Sequence, residues 1–252
     1  MKSKVIVITA TILLFAVAAF AKKPKPQQNS ITFHFNNIVD GQPLRLNDSA
    51  NKYSNAHGDD FYVTTFKYYV SNIVLTKTNG EQVSLPDFYF LVNAADAATT
   101  TQQITGIPEG KYQSIQFIIG VDSARNFAGA QTGCLDPANG MFWTWKSGYI
   151  FVKLEGVSSK SASKKNKLVY HIGGAIDPDN TIRNFTQELP RKLKIKSSTN
   201  AEINLDVNAA ALFKGNTTVD FSQLSFTMGG PKSVVIADNY AKGLFTVTSV
   251  KK

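Results

Sequence analysis

Cysteine is almost absent from this 252-residue chain, with Cys134 standing alone. An intrachain disulfide is therefore excluded, and stability in an oxidising compartment would have to come from packing. Histidine (three), methionine (three) and tryptophan (two) are equally sparse, which confines soft-metal chemistry to a few positions. No nucleophile elbow, HExxH, CxxC, Walker or dinucleotide-binding spacing occurs. The three scattered histidines do not suggest a triad, and the carboxylates Asp59-Asp60 and Asp177, Asp179 sit in turn-like sequence. The reading is a binding protein and not an enzyme.

Acidic residues are the minority, 18 against 27 Lys and Arg, for a formal charge of +9. The excess is local. Residues 160–196 carry nine basic side chains against three acidic ones, and Lys22, Lys23 and Lys25 form a second group. The run Lys160 to Lys167 has no interleaved aromatics and no nucleic-acid motif, so it reads as a solvated loop and nucleic acid is not expected as a partner.

Long apolar runs are missing except at the start. Lys2 and Lys4 precede an uncharged stretch from Val5 to Phe20, and Ala19-Phe20-Ala21 is a small-x-small cleavage site. Residues 1–21 therefore read as a secretory signal peptide, residues 22–30 as a flexible basic tail, and residues 31–252 as one domain. The expected product is periplasmic or secreted and not an integral membrane protein after cleavage after Ala21.

What the chain does have is 43% hydrophobic and 11% aromatic content, enough for a packed core. Its hydrophobic period is mostly two. Ile31, Phe33 and Phe35 alternate with polar residues, Phe61 to Leu75 is aromatic and β-branched up to the Asn79-Gly80 turn, and Ile115, Phe117 and Ile119 form another alternating face. Further strands are expected at 87–92, 149–154, 168–172, 192–196, 203–207, 234–236 and 244–250, with short helices at 207–214 and 237–242. The fold class is all-β: an antiparallel, Greek-key-like β-sandwich with long loops and one or two short helices.

Residues 121–140 break the pattern. Asp136-Pro137 and Asn139-Gly140 are turn signals, and a loop of this length is uncommon in a compact domain unless it binds something or packs on the surface. Asp122, Asp136 and Asn139 offer oxygens to a hard cation, but without EF-hand spacing. Trp143 and Trp145 project from one face of an extended segment, to cover the core, line a pocket or flank a metal. The soft donors are His34, His57, His171, Cys134, Met141 and Met228. His34 lies on the polar face of its strand, His57 reads as a solvated loop residue, and His171 precedes Gly173 and Gly174, where the backbone can bend or approach closely.

Leu135-Asp136-Pro137, Gly140 to Trp145, Gly148 to Gly156 and His171-Ile172-Gly173-Gly174, with the earlier Lys67 to Ile73 and Gly110-Lys111-Tyr112, resemble the MbnP-like family, the methanobactin-associated copper-binding proteins of bacterial envelopes and their relatives. The resemblance implies copper, as Cu(I), held by His171 with His34 or Cys134. It also implies a kynurenine made from Trp143 or Trp145 by a dihaem peroxidase-like partner, with Asn126, Asp136, Asn139 and Met141 in the ligand loop. One departure is specific. Copper-binding relatives tend to carry histidine after the asparagine of the segment that here reads Ala124-Arg125-Asn126-Phe127, and phenylalanine cannot ligate. That departure favours the alternative, a metal-free module whose aromatic loop contacts a glycan or an envelope protein.

Overall fold

The computed structural model describes residues 28–144 and 146–252. The expected signal peptide and residues 22–27 of the expected tail lie outside the described residues, as does Trp145. Asn29, placed in that tail by sequence, is tied to the fold: its amide donates to the Ile107 carbonyl (3.1 Å) and its Oδ1 accepts the Thr199 N–H (3.0 Å).

The strands are β1 (Ser30–Val39), β2 (Gln42–Pro43), β3 (Tyr53–Ser54), β4 (Asp60–Lys77), β5 (Gln82–Asn93), β6 (Thr101–Thr105), β7 (Gly110–Ile119) and β8 (Phe142–Thr144). They continue with β9 (Gly148–Tyr149), β10 (Val152–Val157), β11 (Lys167–Ile172), β12 (Arg183–Ile195), β13 (Asn200–Asn208), β14 (Phe226–Met228) and β15 (Phe245–Lys251). The α-helices are α1 (Ser123–Asn126) and α2 (Pro231–Tyr240). One sheet runs β15-β13-β1-β2 with β6 also on β1; the larger runs β12-β7-β4-β10-β11-β14 with β3 and β5 also on β4. The fold is an all-β sandwich, with mixed rather than wholly antiparallel sheets: β1 is parallel to β13 and β11 to β14.

Aromatic residues join the two sheets. Phe33 and Phe35 of β1 meet Phe90 of β5 with ring centroids 5.9 and 6.4 Å apart. Phe245 of β15 touches Tyr68 (5.5 Å), Phe117 (5.0 Å) and Phe185 (5.8 Å) of the opposite sheet. The period-two pattern is thus the sandwich core itself. Along β4, Phe66, Tyr68 and Val70 point into this core, whereas Tyr69 points outward into a second apolar cluster.

Two local expectations are corrected. Val234-Val235-Ile236, expected as a strand, lies in α2, because Pro231 sits in the first turn and Ser233, Ile236, Ala237 and Tyr240 are buried at helical spacing. Three β-branched residues in a row mislead when the burial period is 3.6. The expected helix at 207–214 is a 3₁₀ turn at Ala209–Phe213 following β13.

Phe245→Ala removes the ring that four aromatic neighbours share. Urea unfolding should show a loss of about 3–5 kcal/mol, and a loss below 1 kcal/mol would show that the two sheets are not held together there.

Candidate functional site: a cleft beside a second core

Residues 121–151 lie over the outer face of the larger sheet. Asp122 caps α1 through the Arg125 N–H (3.1 Å), and Asp136 caps a 3₁₀ turn through the Ala138 N–H (2.8 Å). That turn closes at Gly140 in the left-handed region (φ 70°). Two lysines of the sheet hold it from below: Lys67 Nζ donates to the Asn139 carbonyl (3.0 Å) and Lys153 Nζ to the Gly140 carbonyl (2.7 Å). Leu135, Met141, Tyr149, Ile150 and Phe151 then bury themselves against Tyr69 and Val121 as the second core. The tyrosine hydroxyls are used as well, Tyr69 donating to the Cys134 carbonyl (2.8 Å) and Tyr149 to the Leu135 carbonyl (2.7 Å).

Where this layer ends, the sheet surface is left as a cleft of about 580 Å³, with Phe127, Trp143, Ile176 and Met228 among its walls. The six-membered ring of Trp143 lies against Gly173, where an added Cβ would come within 2.9 Å of it and within 2.4 Å of the Tyr149 carbonyl. Only glycine fits that position. His171, two residues earlier on β11, points from the same face of the sheet. Met228 is its parallel-register partner on β14, lines the cleft, and shares a neighbouring groove with His171 and Glu155.

Imidazole and thioether therefore stand side by side, and the indole lines the adjoining cleft that Met228 also borders. His171 is 7% exposed, and its Nε2 lies 2.7 Å from Glu155 Oε1. Burial holds the imidazole below the ordinary histidine value of 6.5, against the opposing pull of Glu155. Burial pushes Glu155 up, but its hydrogen bond and charge interaction with His171, helped by Lys153 and Thr65, bring it below its ordinary value. The pair at neutral pH is thus a neutral imidazole donating from Nε2 to a carboxylate. Nδ1, which has no hydrogen-bond partner among the described residues, keeps its lone pair.

The other candidates lie elsewhere. His34 is on the outer face of the smaller sheet, facing Thr101 (Nδ1 to Oγ1 3.4 Å), so it is not brought to His171. Cys134 borders a different pocket, where its thiol donates to the Tyr89 carbonyl (2.8 Å) and burial raises its pKa. Met141 is fully buried in the second core. Asp136 is spent on its cap, and Asn139 Nδ2 on the Gly133 (2.9 Å) and Cys134 (3.0 Å) carbonyls. Asn126 is buried, its Oδ1 accepting the Tyr149 N–H (2.8 Å) while its Nδ2 has no partner among the described residues. Glu155 carried no signal in the sequence beyond lying two residues from Lys153. His57, Asp59 and Asp220 form a group with metal-ligand spacing that sequence reasoning missed.

A sequence profile described as MbnP matches residues 28–233. The chain belongs to the MbnP family. Among solved structures it is similar to MbnP from Methylosinus trichosporium, with a TM-score of 0.50 and 14% identity over 75% of this chain and 82% of that one. No curated protein sequence matches it. In this MbnP family member Phe127 lines the same cleft as Trp143 and Met228. His171 and Met228 suit a soft cation of low coordination number.

The pair dictates a pH response. His171 is depressed, so the stability of its neutral form is present above 6.5 and lost as pH falls through the folded value; the depressed Glu155 adds a loss further down. Unfolding free energy should therefore fall on acidification below about pH 6.5, and His171→Asn should flatten the upper part of that fall. An unchanged pH profile in the variant would remove the pair as its cause.

Proposed function

We propose that this MbnP family member is an exported copper-handling protein that binds Cu(I) between His171 and Met228, at the margin of the cleft, and has no catalytic role. The observation that carries the reading is the register pairing of His171 with Met228 beside Trp143, with Glu155 fixing which imidazole nitrogen faces outward. Cu(I) accepts two or three soft ligands, so the imidazole and thioether would suffice to hold it. Oxidation of Trp143 or Trp145 to kynurenine by a dihaem peroxidase-like partner would add an aromatic amine to the donors. The resemblance of the leader to a signal peptide supports a periplasmic or secreted location. No helix among the described residues is long and apolar enough to cross a membrane.

A second reading has its own observation. Among the described residues the exposed large hydrophobics are Phe127, Ile176, Phe226 and Met228, and all four border this cleft or the grooves beside it. Such a grouping suits a metal-free module for a glycan or an envelope protein.

Chain isolated from the native envelope, loaded anaerobically with Cu(I) and titrated with a competing chelator, separates the two. The copper reading expects one Cu(I) per chain, with affinity weakened at least about tenfold, or about 1.4 kcal/mol, by His171→Ala or Met228→Leu. Phe127→His should tighten it by a similar factor. Mass mapping of the peptide that spans Trp143 and Trp145 should show the kynurenine change. No retained copper and two intact indoles would sink the copper reading, and the module reading then expects Trp143→Ala to weaken partner binding.

A further inference from the structure

At the start of β4, the β3–β4 loop and the segment before β14 bring together three donors from two distant stretches of sequence. A ring nitrogen of His57, one carboxylate oxygen of Asp59 and one of Asp220 lie within 4.8 Å of one another. The residues around them are fixed. Asn55 Oδ1 accepts the backbone N–H of His57 (3.0 Å) and of Asp59 (2.8 Å), and Asn55 Nδ2 donates to the Val219 carbonyl (2.9 Å). Asp59 is only 5% exposed, and its two oxygens differ. Oδ2 accepts the Phe221 N–H (2.9 Å) and Asn55 Nδ2 (3.4 Å), whereas Oδ1 faces only His57 Nδ1, 3.2 Å away. Asp220 uses Oδ1 for the Ser222 N–H (2.7 Å).

Two carboxylates this close repel, and one of them is withdrawn from water. Among the described residues neither is paired with a lysine or arginine, and beside them stands only the imidazole of His57. The group is thus not a solvated acidic patch but a nitrogen and two oxygens, converging from two chain segments and short of positive charge.

We propose that His57, Asp59 and Asp220 form a site for a divalent cation of the zinc class. One imidazole and two carboxylates are three of the four ligands of a tetrahedral zinc centre that keeps a water. The His57 side chain is 46% exposed, which leaves the site open to the ion. Bound there, the cation ties the β3–β4 loop to the segment that leads into β14, the strand that carries Met228. The site is separate from the copper cleft. Asp59 lies eight residues along β4 from Lys67, which pairs with Lys153 next to His171, a strand distance of about 25 Å.

The full chain carrying His171→Ala, stripped with chelator and titrated with Zn2+, isolates this site. One Zn2+ per chain is expected, with a raised melting temperature. Adding His57→Ala or Asp220→Asn should weaken binding of order ten- to a hundredfold and abolish the zinc-dependent rise. His57 is exposed and Asn at 220 keeps the turn oxygen, so both variants should fold. Absence of Zn2+ binding in the His171→Ala chain, or equal affinity after His57→Ala, would overturn the proposal.

Discussion

The docking of residues 121–151 on the outer face of the larger sheet is the constraint on which the rest of the site depends. A sandwich needs only its inner faces apolar, yet here Tyr69 of β4 and Ile150 and Phe151 are buried on the outer side as well. Central strands of the larger sheet are therefore covered twice, by the smaller sheet within and by the insertion without. The lysines at 67 and 153 sit in register on β4 and β10 and reach up to adjacent carbonyls of one turn. They turn what would be a mobile loop into a third layer, and the cleft is the margin of that layer.

Charge placement follows from the same arrangement. Glu155 and His171 stand on neighbouring strands at the uncovered edge, close enough to pair and buried enough for the imidazole to stay neutral. Lys153 lies between them and the insertion, and burial lowers its own pKa. One short row of outward-facing side chains on β10 and β11 thus does two jobs, anchoring the layer and setting the protonation state of the candidate donor.

The period-two runs made the sandwich legible in the sequence, since Phe33, Phe35, Phe117 and their partners alternate for the reason that one face is core. Less legible was which side of which sheet each polar residue would occupy. His34 and His171 look alike in their strands, yet the two strands belong to opposite sheets. The insertion was visible as an interruption but not as a packed layer, because its apolar residues, Leu135, Met141 and Tyr149, have no regular spacing. Asp59 and Asp220 are joined only by the closing of the fold, so no local pattern could have paired them. Val234 to Ile236 shows the converse case, in which local propensity pointed to a strand and tertiary burial decided for a helix.

The glycines of the family signature carry a last consequence. A side chain at Gly156 would meet the Tyr62 carbonyl at 2.4 Å, one at Gly148 the Asn126 amide at 2.3 Å, and one at Gly173 the Tyr149 carbonyl at 2.4 Å. Each is required first by a close backbone or packing contact of the scaffold. The positions that make a chain recognisable as a member and the positions that decide what it carries are therefore largely different sets. Lineage and cargo can drift apart: a donor can be lost or regained while every contact that defines the scaffold stays in place.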